Sequence, residues 1–478
     1  MYSNYFKIKL FYLYIKDLMS SDNENDKSIL LNITDSLNCF QNIEELVGTI
    51  SDEIKIVLLG ECTHGTEEFY QIRSDMTKLL IEKHNYKTIL VEGDWPCFYK
   101  INKYVTSEKC SDKTALESMK GIKKFPLWMW RNKIILELVE WLRNYNLEYN
   151  KDNDLIRILG LDCYSLLYSK KWLIAFLKLV DEEYSKKIKL KLDFLKKFKN
   201  EKDYIKALLK GHLRPYFHQI RNLFENILSE IQWKKMDEFS KKCNELKIDS
   251  LAPISAEQCC EVMISADEYY RKLYLEPRGS NASWNTRDQH MTMTIMRLKE
   301  HLKRISKTQE EQKIIVWAHN SHVKDAMATN NGSQTFEENN AWNLGQMVRS
   351  MYGKDKVKIF GFHTHKGTVT ASEEWDQPCK KFELKESLEG SCEHYFHQVC
   401  QSKDIKQFFI NTDTIDRNKE NFFTIPRLQR YVGVNYCPET ELQSHYSEGK
   451  IGDQYDVIVY VDETSALEEL DKDQIYIV

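Results

Sequence analysis

The chain has 478 residues, of which 42% are hydrophobic and 29% are charged, a composition typical of a globular protein with two to three domain-sized units. The formal net charge of −4 excludes a broad basic surface for nucleic acid or an anionic membrane. Twelve cysteines occur without a CxxC pair, which is typical of reduced thiols in the cytosol. We therefore predict a cytoplasmic protein without nucleic-acid or membrane partners, whose oligomeric state no pattern reveals.

Residues 1–50 are predicted to form an N-terminal extension followed by a first helix. The apolar run 10–15 is bordered by lysines and is too short to span a bilayer. The serine- and acid-rich stretch that follows does not resemble a signal-peptide cleavage site. We expect residues 1–18 to be an untranslated or disordered extension before Met19, and the alternative is a weak peripheral membrane anchor.

Short runs rich in Val, Ile and Leu predict the strands of a buried sheet. Six are pronounced and a seventh is weaker, at 54–60, 88–93, 156–162, 313–319, 357–362 and 456–462, and at 406–411. Near-continuous apolarity is typical of strands covered on both faces, as in parallel sheets. Amphipathic helical patterns between the runs predict an α/β fold with a mostly parallel sheet and flanking helices.

One long segment, residues 166–275, carries no convincing strand pattern. Its lysine-rich helical repeats predict a helical insertion lobe, whose charges are those of a solvated helix face. Residues 51–165 and 276–478 are then predicted to form one α/β catalytic core. The polar stretch 329–340 is predicted to be a surface loop.

Polar side chains follow the predicted strands at the point where each strand ends. They are Glu61 and His64, Glu92 and Asp94, Asp162, His319 and His322, and His363 and His365. Because the carboxyl ends of parallel strands share one edge of the sheet, where ligands bind, we expect these side chains to converge on one cleft.

Arg73 lies in the middle of an apolar helical stripe formed by Phe69, Ile72, Met76, Leu79 and Leu80. An arginine that faces the core needs a carboxylate partner, which Glu61 or Glu92 could supply. The alternative is an arginine that extends its charge to solvent from a partly exposed helix. The glycines of "GECTHGT" predict a tight strand-to-helix turn that requires unusual backbone conformations.

Several well-known catalytic motifs are absent from the chain. GxSxG, GxxxxGK[ST], GxGxxG and HExxH do not occur, which disfavours serine-triad hydrolases, nucleotide hydrolases and nicotinamide dehydrogenases. Cys62 lies in the "GECTHGT" loop without a nucleophile signature, and we interpret it as a residue without a catalytic role.

Ordered sequence blocks resemble the erythromycin esterase family from about residue 54 to residue 462. They are "GECTHGTEEFYQIR", "VEGDWP", "FPLWMWRN", "GLDCYS", "WNTRDQHM", "VWAHNSHV", "NLGQMV" and "GTVTASEEWDQP", with "VGVNYCPETELQSHY" resembling its uncharacterised bacterial branch. The resemblance implies hydrolysis of an ester, in known members the macrolide lactone, without a covalent intermediate. It does not fix the substrate, so macrolide cleavage in an antibiotic response is one interpretation among several.

The resemblance also implies a set of site residues, in which His64 activates water. The remaining catalytic candidates are Glu61, Arg73, Glu92, His319 and His322. The chemistry of the residues agrees, because a neutral histidine can serve as general base while other histidines donate to the developing oxyanion. Candidate substrate-binding residues are Trp128, Arg287, His290 and His363.

Two alternatives use overlapping residues. His64, His319, His322 and the carboxylates could instead hold Zn²⁺ or Mn²⁺ in a metal-dependent hydrolase. The cleft could also bind a ligand such as haem through His319, His363 or His365, without catalysis. We rank metal-free general base catalysis first and predict that no cofactor is required.

Overall fold

The computed structural model describes residues 23–107, 109–124, 126–149, 155–277, 279–305, 311–329 and 340–470. The predicted extension at 1–18 and most of the predicted loop at 329–340 lie outside the described residues.

Nine of the described strands form one mixed, mostly parallel sheet. Its order is β1-β8-β11-β6-β2-β5-β3-β4, and β7 pairs with β6, while β9 and β10 form a separate pair. The strands are β1 Leu37–Asn38, β2 Ile56–Leu59, β3 Thr88–Asp94, β4 Arg157–Asp162, β5 Ile314–Trp317, β6 Val357–Ser372, β7 Cys379–Leu384, β8 Gln407–Asn411, β9 Arg427–Arg430, β10 Tyr446–Gly449 and β11 Val457–Thr464.

The neighbours from β11 through β6, β2, β5, β3 to β4 all pair in parallel, whereas β1, β7 and β8 pair antiparallel to their neighbours. All seven predicted strands are present, so the predicted fold class is confirmed. The sequence patterns missed β1, β7, β9 and β10. These strands are short or polar and partly exposed, so they lack the apolar run that marks a buried strand.

Helices flank the sheet on both faces. Over the described residues the α-helices are Asn23–Ser36, Ile43–Val47, Glu67–His84, Trp95–Thr106, Ala115–Met119, Leu127–Trp130, Lys133–Tyr149, Leu166–Val180, Glu182–Lys191, Glu201–Leu209, Phe217–Glu230, Met236–Leu246, Ala252–Leu275, Ala282–Ile305, Asn320–Val323, Leu344–Tyr352, Cys392–Lys403, Glu441–Ser444 and Ile451–Gln454.

The sheet separates two hydrophobic clusters, because successive side chains of a strand point to opposite faces. In β2, Ile56 and Leu58 belong to one cluster, and Val57 and Leu59 belong to the other. All four side chains are fully buried. The central strands are therefore covered on both faces, as their continuous apolarity indicates.

The segment 166–275 consists of helices joined by short turns and contains no strand, every residue of it being described. Its helices contribute to the hydrophobic cluster that includes Ile56 and Leu58. The helix Ala252–Leu275 packs against Leu166–Val180 and against Ala282–Ile305. The division of the chain into a core and an insertion lobe stays a prediction.

Two further features concern the cysteines and the helices. All twelve cysteines are free, and most of them are buried. Within the described ranges, no helix combines the length and the apolarity needed to cross a membrane.

Candidate functional site

The carboxyl ends of β2, β3, β4 and β5 meet at a cavity of about 330 Å³, which we call the strand-end cavity. Its lining includes a side chain from the end of each of these strands or from the loop that follows: His64, Glu92, Asp162, His319 and His322. Glu61 and Arg73 lie behind this wall, since both are almost fully buried. The six predicted catalytic side chains are thus brought together at one edge of the sheet.

The loop between β2 and the helix Glu67–His84 is shaped by a close backbone approach. A Cβ atom on Gly65 would lie 1.8 Å from the carbonyl oxygen of Thr370, so no other residue fits there. Gly65 does not adopt positive φ. This corrects the expectation of unusual backbone conformations, because the glycine is needed for lack of a side chain.

Glu61 bridges His64 and Arg73. His64 Nδ1 lies 2.9 Å from one carboxylate oxygen of Glu61, and Arg73 Nη2 lies 2.5 Å from the other. The guanidinium is held between the rings of Tyr70 and Trp317, at 4.5 and 4.7 Å. The predicted buried ion pair of Arg73 is confirmed, and its partner is Glu61.

The bridge also orients the His64 imidazole. A carboxylate only accepts, so Nδ1–H donates to Glu61 and Nε2 carries the lone pair. His64 lines the strand-end cavity, and no hydrogen bond to Nε2 occurs within the described part of the chain. Nε2 is therefore the ring nitrogen that can accept a proton from a molecule in the cavity.

His319 packs beside His64, with the ring centroids 4.6 Å apart. Its Nε2–H donates to the carbonyl of Cys62 at 3.2 Å, and its Nδ1 accepts from the hydroxyl of Ser321 at 2.7 Å. Burial, with the neighbouring His64, holds the pKa of His319 well below its usual range. His319 is thus neutral, and both ring nitrogens are engaged within the protein.

Cys62 itself is fully buried, and burial raises the pKa of its thiol. It is not among the residues that line the cavity. The interpretation of Cys62 as a residue without a catalytic role agrees with this environment, since a buried neutral thiol is a poor nucleophile.

Arg287 lies at the centre of a second ionic cluster. Its Nε and Nη2 donate to the two oxygens of Asp162 at 3.0 and 2.7 Å, and Nη2 also donates to Glu92 at 2.6 Å. The other oxygen of Glu92 accepts from the backbone N–H of His319 at 2.8 Å. Burial would raise the pKa of Glu92, but His322 and Arg287 outweigh it and hold this pKa well below the usual range.

His322 extends this cluster. Its Nδ1 lies 2.7 Å from Asp288, and its Nε2 lies 3.3 Å from Glu92 and 2.9 Å from Arg287 Nη1. Burial would lower the pKa of His322, but Asp288 and Glu92 overcome it and raise this pKa to about 9. The protonated ring then donates to both carboxylates, which leaves Arg287 Nη1 without its acceptor. Trp284 stacks on the ring at 4.3 Å, a contact that favours a cation.

Three of the four predicted substrate-binding residues lie outside the strand-end cavity, and Arg287 is the one that lines it. Trp128 is fully buried in the core, while its helix neighbours Met129 and Trp130 line the cavity. A single step along a helix rotates a side chain by about 100°, so the sequence could not choose among the three.

His290 and His363 are likewise corrected. His290 bonds Ser265 at 2.8 Å and lines a separate polar cavity of about 640 Å³. His363 lies inside β6, which continues to Ser372, and its Nδ1 is 2.8 Å from buried Glu393. The expectation that the strand ends before His363 was wrong, so its side chain follows the alternation of the strand and not the course of a loop.

The segment after β9 is the part of the site that the strand patterns missed. The backbone N–H of Val432 donates to Cys62 at 2.7 Å, and that of His64 donates to Val432 at 3.1 Å. This pairing brings Tyr431, Gly433 and Val434 to the cavity wall. The block "VGVNYC" was the sequence signal that marked this segment.

The donor set fits a resident metal ion poorly. Both oxygens of Glu61 and both oxygens of Glu92 already accept hydrogen bonds from protein donors. Over the described ranges, no group of three His, Cys, Asp or Glu side chains is arranged to hold a metal. We therefore derive no chemistry through a metal, and the requirement for a cofactor stays a matter for experiment.

Comparison with known proteins gives concordant results. The Erythromycin esterase family model matches residues 81–464, which includes Glu92, Arg287, His319 and His322 and begins after Glu61, His64 and Arg73. Erythromycin esterase type II of Escherichia coli is 21% identical over 429 residues, which cover 85% of this chain and 90% of that protein.

Solved structures share the fold at low identity. A succinoglycan biosynthesis protein superposes with a TM-score of 0.70 at 17% identity, over 94% of this chain and 100% of the other. A Bacillus cereus protein gives 0.67 at 17% identity, over 93% and 99%. A histidine-to-asparagine mutant of the erythromycin esterase EreC, in its open conformation, gives 0.59 at 16% identity, over 89% and 95%. The extent of the family match shows that the chain belongs to the erythromycin esterase family, which supports a hydrolase of ester bonds.

Proposed function

We propose that this protein hydrolyses an ester or lactone bond of a small molecule, with water activated by His64 and without a covalent intermediate. One observation supports this above all others. The Glu61–His64–Arg73 arrangement leaves His64 Nε2 available to a cavity that Arg287 also lines.

In the first step, water in the cavity attacks the carbonyl carbon while His64 Nε2 takes one of its protons. The imidazolium that forms donates through Nδ1 to the Glu61 carboxylate, whose negative charge stabilises it. Arg73 holds Glu61 in place from behind, so the carboxylate needs no reorganisation during proton transfer. Glu61 and Arg73 thus act on the general base, His64, without contacting the substrate.

The negative charge that develops on the carbonyl oxygen needs a donor on the cavity wall. His319 does not supply one, since both of its ring nitrogens bond within the protein. When His322 donates to Asp288 and Glu92, Nη1 of Arg287 is free to donate to that oxygen. We assign the oxyanion to Arg287, with His322 as the residue that leaves Nη1 available.

In the second step, the tetrahedral intermediate collapses and the bond from carbon to the alcohol oxygen breaks. The His64 imidazolium returns its proton to the departing alkoxide, which leaves as an alcohol. The other product is the carboxylic acid, which ionises at neutral pH. His64 is again neutral, so the cycle closes with one water consumed.

The test is the His64→Ala variant assayed on a panel of esters and lactones. We expect turnover to fall by about 10²–10⁴-fold, the usual contribution of a general base, with an unchanged far-UV circular dichroism spectrum. His84→Ala is the matched control, since His84 is the last residue of the helix Glu67–His84 and does not line the cavity. An undiminished rate in His64→Ala would remove His64 from this role.

Two further measurements separate this mechanism from its competitors. Ser321 is the serine among the described cavity-lining residues, and its hydroxyl bonds His319, a geometry that a covalent mechanism could use. We expect no pre-steady-state burst of alcohol and an active Ser321→Ala variant. We also expect the rate to survive chelation, and a loss restored by Zn²⁺ or Mn²⁺ would favour the metal-dependent alternative.

A further inference from the structure

The wall of the strand-end cavity has two chemically different parts. The ionic cluster of Arg287, Glu92 and His322 forms one part, and His64 lies on the same wall. The second part, which we call the apolar wall, is formed by Cys97, Phe98, Ile122, Pro126, Met129 and Trp130, while Asp94 and Lys124 also line the cavity. A substrate whose reacting carbonyl lies at His64 can therefore place one of its two groups against apolar side chains.

The apolar wall is held in shape by its own packing. Phe98 and Trp130 meet edge to face, with ring centroids 5.3 Å apart. The indole N–H of Trp130 donates to the carbonyl of Glu92 at 3.1 Å, which fixes this ring relative to β3. A Cβ atom on Gly93 would lie 2.4 Å from the Phe98 ring, so the strand and the ring are in close contact. The position of this wall is therefore fixed relative to Glu92.

Aromatic residues also border the cavity where it opens. Tyr164 and Trp375 lie with ring centroids 6.4 Å apart, and Trp375 is 50% exposed. The residue after Trp375, Asp376, forms an ion pair with Lys202 at 3.2 Å, which connects this loop to the helical segment 166–275. The loop of Trp375 thus adds aromatic surface to the cavity wall and is attached to the helical segment by an ion pair.

The charged groups at the cavity are compensated from within the protein. Arg287 is paired with Asp162 and Glu92. Lys124, also on the wall, is paired with Glu201 at 2.8 Å. Lys123 is exposed at the rim, where a charge in water gains little from an ion pair. Nη1 of Arg287 is assigned to the oxyanion, so a further anionic group on the substrate would lose its hydration without a buried partner. A substrate that is neutral outside its reacting bond is therefore favoured.

We propose that the site takes compact, neutral esters, with an apolar acyl group packed against Ile122, Met129 and Trp130 of the apolar wall. This inference rests on the proposed ester hydrolysis and adds the substrate class to it. The volume of about 330 Å³ lies at the low end of small-molecule pockets, which favours a compact substrate over a large macrocycle. Each methylene buried against this wall is expected to increase kcat/KM about fourfold.

The experiment uses the full-length protein and p-nitrophenyl esters of acetate, butyrate, hexanoate and decanoate. We expect kcat/KM to rise from acetate to an optimum and to fall for decanoate, whose acyl chain is long for a cavity of about 330 Å³. The p-nitrophenyl hemi-ester of adipic acid, a hexanoate with a terminal carboxylate, is expected to be at least tenfold poorer than the hexanoate. A flat profile, a preference for the hemi-ester, or a higher kcat/KM for erythromycin than for the best ester would overturn the proposal.

A pair of variants tests whether the acyl chain packs against the apolar wall. Ile122 is almost fully buried on the apolar wall, so Ile122→Trp should shorten the space and move the optimum to a shorter acyl chain. Ile122→Ala should move the optimum to a longer chain, and this variant provides the test if tryptophan is not tolerated at position 122. Trp233→Ala is the control, since Trp233 is 82% exposed and does not line the cavity. An optimum that moves in neither Ile122 variant contradicts the assignment.

The outcomes distinguish this inference from the proposed function. If no ester is turned over faster by the wild type than by His64→Ala, the proposed ester hydrolysis fails. If His64-dependent hydrolysis occurs without dependence on chain length or charge, only the assigned substrate class fails. Both results come from the same set of esters.

Discussion

Replacing Arg73 by methionine separates the stability that the buried Glu61–Arg73 pair provides from its contribution to catalysis. Arg73 is 0% exposed and Glu61 is 1% exposed, so the loss of either partner leaves the other charge buried. Breaking a buried ion pair in this way costs about 3–5 kcal/mol, out of a total of about 5–15 kcal/mol for a typical protein. Methionine is also unbranched and can fill the space between Tyr70 and Trp317.

The losses of stability should be strongly non-additive in the double variant. We expect Arg73→Met and Glu61→Gln each to lower the free energy of unfolding by about 3–5 kcal/mol, since each leaves one unpaired charge. The double variant contains neither charge, and its stability should lie within about 2 kcal/mol of the wild type. Its activity should not recover, because the glutamine carries no negative charge to stabilise the His64 imidazolium.

The assay is urea denaturation followed by tryptophan fluorescence, together with steady-state hydrolysis of the best ester of the panel. We expect the double variant to unfold near the wild-type midpoint while its turnover stays at least about 100-fold below the wild-type value. Additive losses of stability would show that the two side chains do not form an energetically coupled pair. A return of activity together with stability would show that Glu61 acts only on the fold.

Two further predictions concern the ionic cluster. Because the pKa of His322 is raised above its usual value to about 9, the stability from this group is full below about pH 6.5 and is lost as pH rises through about 9. In Asp288→Asn the main charge that raises this pKa is removed. The decrease in the free energy of unfolding from pH 7 to pH 9, measured by urea denaturation, should therefore be smaller than in the wild type. An equal decrease would contradict the assignment. Arg287→Lys cannot reproduce the paired contacts with Asp162, and we expect kcat/KM to fall about 10- to 100-fold, whereas an unchanged value would exclude the oxyanion role.

The sheet was predictable because buried parallel strands leave a direct trace in sequence. Every strand between β2 and β5 in chain order, and β6, β8 and β11 after them, carries an apolar run of the expected length. Strands such as β7 and β9 leave no such trace, since their sequences, CKKFEL and RLQR, are rich in charged and polar residues. Their positions follow from the strands and loops that they pair with.

Part of the site was also predictable, for the same reason. Glu61, His64, Glu92, His319 and His322 were expected at one edge because polar residues at successive strand ends converge when the strands are parallel. The partner of Arg73 was narrowed to two carboxylates, and the structure selects Glu61. Side-chain direction inside an element was not predictable, which is why the placement of Trp128, His290 and His363 failed.

The sequence by itself determined the mostly parallel sheet, the positions of its apolar strands along the chain and the requirement that a core-facing arginine find a carboxylate. These properties depend on periodicity and burial, which are local in sequence. The tertiary structure decided which carboxylate pairs with Arg73, which ring nitrogen of His64 is available, and which apolar residues line the cavity. These choices depend on how side chains from separate elements pack in three dimensions, and no local pattern in the sequence records that packing.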